Sequence, residues 1–185
     1  DSLFDRAGIL AFAHEYLRQA VKDAFALDED HQDTLQLRLA DYFEAQPPTA
    51  RSCDELPWLL RETECFQRLR LCLLDIDRFL LIQDRDGEEL RRYWVSLGEE
   101  KTMGEAYSRS FEAWVAETKP EDLRTSYAAN RLALFLLHAA LYVEAEPLLR
   151  RALKIDERSY GSEHPQVATR LNNLASLLHD TNRHT

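Results

Sequence analysis

The sequence predicts an all-α fold built as a helical-hairpin array, an α-solenoid, with room for one short strand near the N-terminus. Three observations carry this expectation. Apolar residues recur at about 3.6-residue spacing through most of the 185 residues. Only 5 Gly and 6 Pro punctuate them. A ten-residue pattern also returns at a fixed offset. Residues 127–136 (YAANRLALFL) laid over 169–178 (TRLNNLASLL) place Asn130 on Asn172, Leu132 on Leu174, Ala133 on Ala175 and Leu136 on Leu178, 42 residues apart (172 minus 130). Self-similarity at a period of this size marks a stacked helical array.

The repeat explains itself residue by residue. Its first helix carries Leu132, Ala133 and Leu136 on one apolar stripe, with Ala133 and Ala175 small where two helices must approach. Residues 140 to 142 make the turn. The second helix shows Ala145, Leu148, Leu149, Ala152, Leu153 and Ile155 at helical spacing, with Pro147 near its start. Gly161 and Pro165 punctuate the loop to the next helix. This pattern resembles the tetratricopeptide repeat (TPR), in its long 42-residue form known from kinesin light chains. The common TPR pattern has Gly and an aromatic in the turn, and only the aromatic, Tyr142, is kept.

A solenoid offers a concave groove for an extended or helical partner. Opposite the Leu132/Leu136 stripe lie Tyr127, Asn130, Leu134 and His138, continued in the second copy by Thr169, Asn172, Ser176 and Asp180. These eight are the candidate groove residues for a protein or peptide partner. Asn130 and Asn172 hold the same place in successive repeats, so stacking is expected to set them side by side. An Asn amide offers donors and an acceptor, which suits a peptide backbone. The alternative is that these Asn cap or bridge neighbouring helices.

Upstream, Ile9–Phe12 alternates as a strand does. The period then lengthens, and Tyr16, Leu17, Ala20, Val21, Ala24 and Phe25 share a helical face. His14 falls at that helix start as an end or packing residue, since HEYLR lacks the second His of a zinc-protease helix. An acidic loop, 28–33, leads to a helix with Leu35, Leu39, Tyr42 and Phe43 on its apolar face, ended by Pro47 and Pro48. Phe12, His14, Glu15, Leu17, Arg18, Ala20 and Val21, then Leu35, Arg38, Leu39, Ala40, Asp41, Tyr42 and Phe43, resemble the end of the winged-helix domain in STAND NTPases. That resemblance implies a signalling ATPase of nucleotide-binding core, winged helix, helical arm and repeat sensor. It divides the chain into a winged-helix-like end (1–50), a helical arm (51–121) and TPR repeats (122–185), one complete and a second truncated.

The arm has helix-length apolar stripes that match the TPR pattern poorly. Asp54 is the expected cap of a helix whose early turn contains Pro57. Phe66, Leu69, Leu73 and Leu74 make one stripe, and Ile76, Phe79, Leu80 and Ile82 the next. Residues 84–87 break the run before Leu90, Tyr93, Trp94 and Leu97. Residues 98–104 read as a loop, and Ala106, Tyr107, Phe111, Trp114 and Val115 as one more helix. Pro120 opens the helix that enters the repeat.

Charge and motifs exclude several functions. Net charge is −10. Residues 121–185 hold 8 of the 23 basic and 8 of the 33 acidic residues, so the first 120 carry the whole excess. An acidic surface repels phosphate backbones, which argues against nucleic acid and against a DNA-binding winged helix. No run of about 18 apolar residues appears, so no membrane span is expected. Cys53, Cys65 and Cys72 are sparse and odd in number, as in a reduced cytoplasmic protein. No phosphate loop G-x-x-x-x-G-K-[ST] is present, so any ATPase lies before Asp1. Asp84, Asp86, Gly87 and Glu88 hint at a calcium loop, but Ile82 and Tyr93 stand where it needs acids. No His–Cys spacing suits a metal, and no Ser sits in a nucleophile elbow. No catalytic, cofactor or metal residues are expected. The expected function is a non-catalytic protein–protein interaction and regulatory region, a sensor or scaffold, of a larger STAND-type ATPase. The alternative is a stand-alone kinesin-light-chain-like adaptor. Because the chain opens on Asp1 and ends on a lone first helix of a repeat, it is expected to be a piece of a longer polypeptide.

Overall fold

The computed structural model describes residues 3–6, 9–12 and 29–181. The expected helix over 14–27, with His14, lies outside them. The chain forms two compact units, Asp1–Cys65 and Phe66–Thr185.

In the first unit, β1 (Leu3–Arg6) and β2 (Ile9–Phe12) pair antiparallel, Leu3 opposite Phe12 and Arg6 opposite Ile9. The strand expected at Ile9–Phe12 is there. Its partner, equally short, ends in the charged residues Asp5 and Arg6 and so shows no apolar alternation. Helix α1 (Glu29–Glu44) starts inside the acidic stretch expected as a loop. The physical reason is that carboxylates are favoured in a first turn, where the helix dipole is positive. The expected apolar face also turns out differently. Leu35, Leu39 and Tyr42 are exposed, while Ala40 and Phe43 are buried. Helix α2 (Ala50–Glu62) packs on α1, and the Arg51 guanidinium sits 5.9 Å from the Phe43 ring centroid. Its cap is Thr49 rather than Asp54. Thr49 Oγ1 accepts the Ser52 N–H at 3.1 Å and Ser52 Oγ accepts the Thr49 N–H at 2.9 Å, a reciprocal capping box. Asp54 therefore lies inside the helix.

The second unit is a run of helices: α3 (Phe66–Leu74), α4 (Ile76–Leu97), α5 (Met103–Thr118), α6 (Asp122–His138), α7 (Tyr142–Tyr160) and α8 (Pro165–Asp180). This run of helices is an all-α, TPR-like solenoid architecture. The break expected at 84–87 is a one-residue kink inside α4. Only Asp86 leaves helical geometry (φ −157°, ψ 97°). Its Oδ1 accepts the Glu88 N–H at 3.0 Å and so caps the second half of the helix. Gly98, at φ 68°, ends α4 in the left-handed conformation that glycine adopts without a Cβ clash. The loop expected over 98–104 is shorter, because α5 already includes Met103 and Gly104.

An aromatic cluster locks α4, α5 and α6 together. Phe79, Trp94, Tyr107 and Phe135 meet edge to face at centroid distances of 5.2 to 5.8 Å. Trp94 Nε1 donates to Tyr107 Oη at 3.1 Å inside it. The hairpin α6–α7 follows the predicted stripes. Leu132, Ala133 and Leu136 are buried, as are Ala145, Leu148, Leu149, Ala152 and Ile155. Leu153 is half-buried. Helix α8 buries Val167, Leu174 and Leu177 but leaves Leu171 and Ala175 exposed. Ala133 and Ala175 thus share a sequence position without sharing burial, because α7 covers the first and no described helix covers the second.

Candidate partner-binding face

Two polar ties show how the first helices of successive hairpins lie side by side. On one flank of α6, Tyr127 Oη donates to Asp84 Oδ2 of α4 at 2.6 Å. Arg131 reaches the same place, its Nη2 3.0 Å from the Gln83 carbonyl and 2.6 Å from Asp84 Oδ1. Arg131 thus donates to an α4 carbonyl just before the kink at Asp86. On the other flank, Asn173 Nδ2 of α8 donates to Asn130 Oδ1 at 2.9 Å. The order across this face is α4, α6, α8.

The neighbour that Asn130 meets is therefore Asn173, not Asn172. Asn130 is buried, and Asn172 stands exposed next to the contact. The 42-residue offset aligns positions along two helices but does not fix how each helix is rotated about its axis. With Asn at both 172 and 173, the pattern leaves that rotation open. Tyr127 is 41% exposed despite its bond. Partial burial, then the hydrogen bond and negative charge of Asp84, push its phenol above the ordinary value, with Arg131 opposing. Leu134 is half-buried and His138 exposed. In α8, Thr169, Asn172, Ser176 and Asp180 are all exposed. Thr169 Oγ1 donates to the Pro165 carbonyl at 3.1 Å, and His179 Nδ1 lies 3.5 Å from Asp180 Oδ1. The residues missed from sequence are Asp84, Gln83, Arg131 and Asn173. Only the doubled Asn in the second copy carried any signal.

The kink carries its own charge arrangement. Slight desolvation raises the Asp86 pKa, but the Glu88 and Glu89 N–H groups and Arg92 outweigh it and hold the carboxyl below its ordinary value. Among the described residues, no group of His, Cys, Asp and Glu is placed to hold a metal ion. No described helix is long and apolar enough to cross a membrane. What the face offers is amide, hydroxyl and imidazole groups at helical spacing, suited to hydrogen-bonding a polypeptide.

A hairpin array of this geometry defines the class: residues 122–185 match the tetratricopeptide repeat family model. Over nearly its whole length the chain is also similar to nephrocystin-3. It is 30% identical to the Homo sapiens protein over 178 residues and 31% identical to the Mus musculus protein over 180, in both cases across 92% of this chain. The Xenopus laevis protein is 32% identical over 133 residues, 70% of the chain. The chain spans only about a tenth of these relatives, 13%, 13% and 10% of their lengths. No solved structure matches it.

Proposed function

We propose that this chain is a non-catalytic interaction and regulatory region of a larger STAND-type signalling ATPase in the cytoplasm, binding a protein partner through the α4–α6–α8 face. The observation that carries the reading is the row of exposed polar side chains on the first helices of a TPR hairpin array. Tyr127 and His138 on α6, then Thr169, Asn172, Ser176 and Asp180 on α8, are exposed at helical spacing, with half-buried Leu134 on the same stripe of α6. In this reading Asn172 and Ser176 contact the partner, whereas Asn130 acts through Asn173 by holding α6 and α8 in register. Residues 1–50 are the end of a winged helix and 51–121 the arm that relays partner binding. The similarity to nephrocystin-3 across 92% of this chain supports reading it as a region of a longer protein.

The test separates the two asparagines. Proteins captured from a lysate by the 185-residue chain are lost when Asn172 and Ser176 are both changed to Lys, while the melting curve stays in place. Retention of every captured protein by that variant overturns the groove assignment. The upstream ATPase is decided by the coding sequence before Asp1. A phosphate loop there supports it, and its absence leaves the kinesin-light-chain-like adaptor.

A further inference from the structure

A second concave surface, distinct from the row of exposed residues on α6 and α8, lies beside α3 and α5. Between α3 and α5 runs an open groove of about 670 Å³, within the usual size of a binding site. Its walls are Leu71 and Leu74 of α3 and the stripe of α5 that includes Ala113 and Trp114. The Ser110 hydroxyl donates to the Leu74 carbonyl and ties the two helices at the floor. Leu71 is 66% exposed, second only to Val143 among the large apolar side chains of the described residues.

Charge orders this groove along its length. Arg70 bonds Glu99, which precedes α5, at 2.7 Å, and Asp77 pairs with Arg124, which follows α5, at 2.8 Å. Each of these ties is neutral in sum, and the Arg124 guanidinium also lies 5.6 Å from the Trp114 ring centroid, so the charge polarity of the groove rests on Arg109 and Glu117. Arg109 and Glu117 are exposed, and neither has an ion-pair partner among the described residues. They stand two turns apart on α5, about 12 Å. Trp114 lies between them, 8% exposed, and its indole N–H is buried with no acceptor among the described residues.

We infer that the α3–α5 groove docks an amphipathic helix of a partner protein that carries an acidic residue facing Arg109, a basic residue about two turns away facing Glu117, and apolar residues between. A helix is the occupant because the small Ala113 lets a helix approach α5 closely, and helix-in-groove recognition uses anchors one and two turns apart. The charge polarity commits the direction in which that helix lies.

The experiment uses a displayed library of random 16-residue peptides selected on the 185-residue chain. Enriched peptides carry the acid, apolar and basic residues at this spacing. Their binding falls at least about tenfold on Ala113→Arg, a change at an exposed position that leaves melting unaltered. Selection on Arg109→Glu replaces the acid at that end with a base. The inference is overturned if no peptide is enriched, if enriched peptides bind Ala113→Arg as tightly, or if Arg109→Glu leaves the selected sequences unchanged. None of these outcomes touches Asn172 or Ser176, so it is judged independently of the first face.

Discussion

Asp156 of α7 and Arg170 of α8 form a buried ion pair, Arg170 Nε to Asp156 Oδ2 at 2.8 Å, with side chains 2% and 10% exposed. Ser126 of α6 completes the site, donating to Asp156 Oδ1 and lying 3.2 Å from the Ala152 carbonyl. Three consecutive helices therefore share one carboxylate. Arg170→Ala strands that carboxylate without its cation, and loss of one partner of a buried pair typically costs about 3–5 kcal/mol. Changing Asp156 and Arg170 together to Leu should cost less than Arg170→Ala alone. Denaturant unfolding of the three proteins checks this; a double variant less stable than the single one would show the pair to be net stabilising.

Ala133 is fully buried between α6 and α7, whereas Ala175 at the matching position of α8 is exposed. Ala133→Trp should lower stability by at least the ~1–3 kcal/mol typical of overpacking. Ala175→Trp should leave it within about 0.5 kcal/mol. Equal melting temperatures for the two variants would place the hairpin interface elsewhere.

Ala140 sits in the α6–α7 turn at φ 59°, the left-handed region that costs a residue with a Cβ roughly 1–2 kcal/mol. The family pattern has Gly in this turn. Ala140→Gly should stabilise the chain by up to about 1 kcal/mol, the relieved strain being offset in part by the greater freedom of an unfolded glycine. A lower melting temperature for this variant would mean that the Ala140 methyl contributes packing that outweighs its strain.

Tyr107 is fully buried, and burial pushes its phenol well above the ordinary 10.0, although the bond from Trp94 works the other way. The unfolded chain gives up this proton near its ordinary pKa while the folded chain keeps it. The stabilising contribution is thus complete below about pH 10 and declines as pH rises beyond it. Tyr107→Phe loses that slope, and it leaves the Trp94 N–H unpaired at about 1–3 kcal/mol. The gap in stability between the two proteins should narrow from about pH 9 to about pH 11. A constant gap would show that Tyr107 ionises as freely in the folded state as in the unfolded one.

The sequence by itself determined the helical class and the stripes that α6 and α7 bury, because a helix that must cover one face repeats its apolar residues at its own period. It determined the hairpin of residues 122–160 nearly to the residue. It misread 28–33, where acids serve a helix start as well as they serve a loop. It also turned α1 the wrong way, since Leu35, Leu39, Tyr42 and Phe43 fit one stripe that no described neighbour fully covers. Only the tertiary structure decided which Asn meets Asn130, which Ala of the matched pair is buried, and that Arg131 and Tyr127 grip the kink of α4. Those outcomes depend on how one helix is rotated against the next. Rotation is set by the neighbour's shape and charge, and a period read along a single helix carries no information about its neighbour.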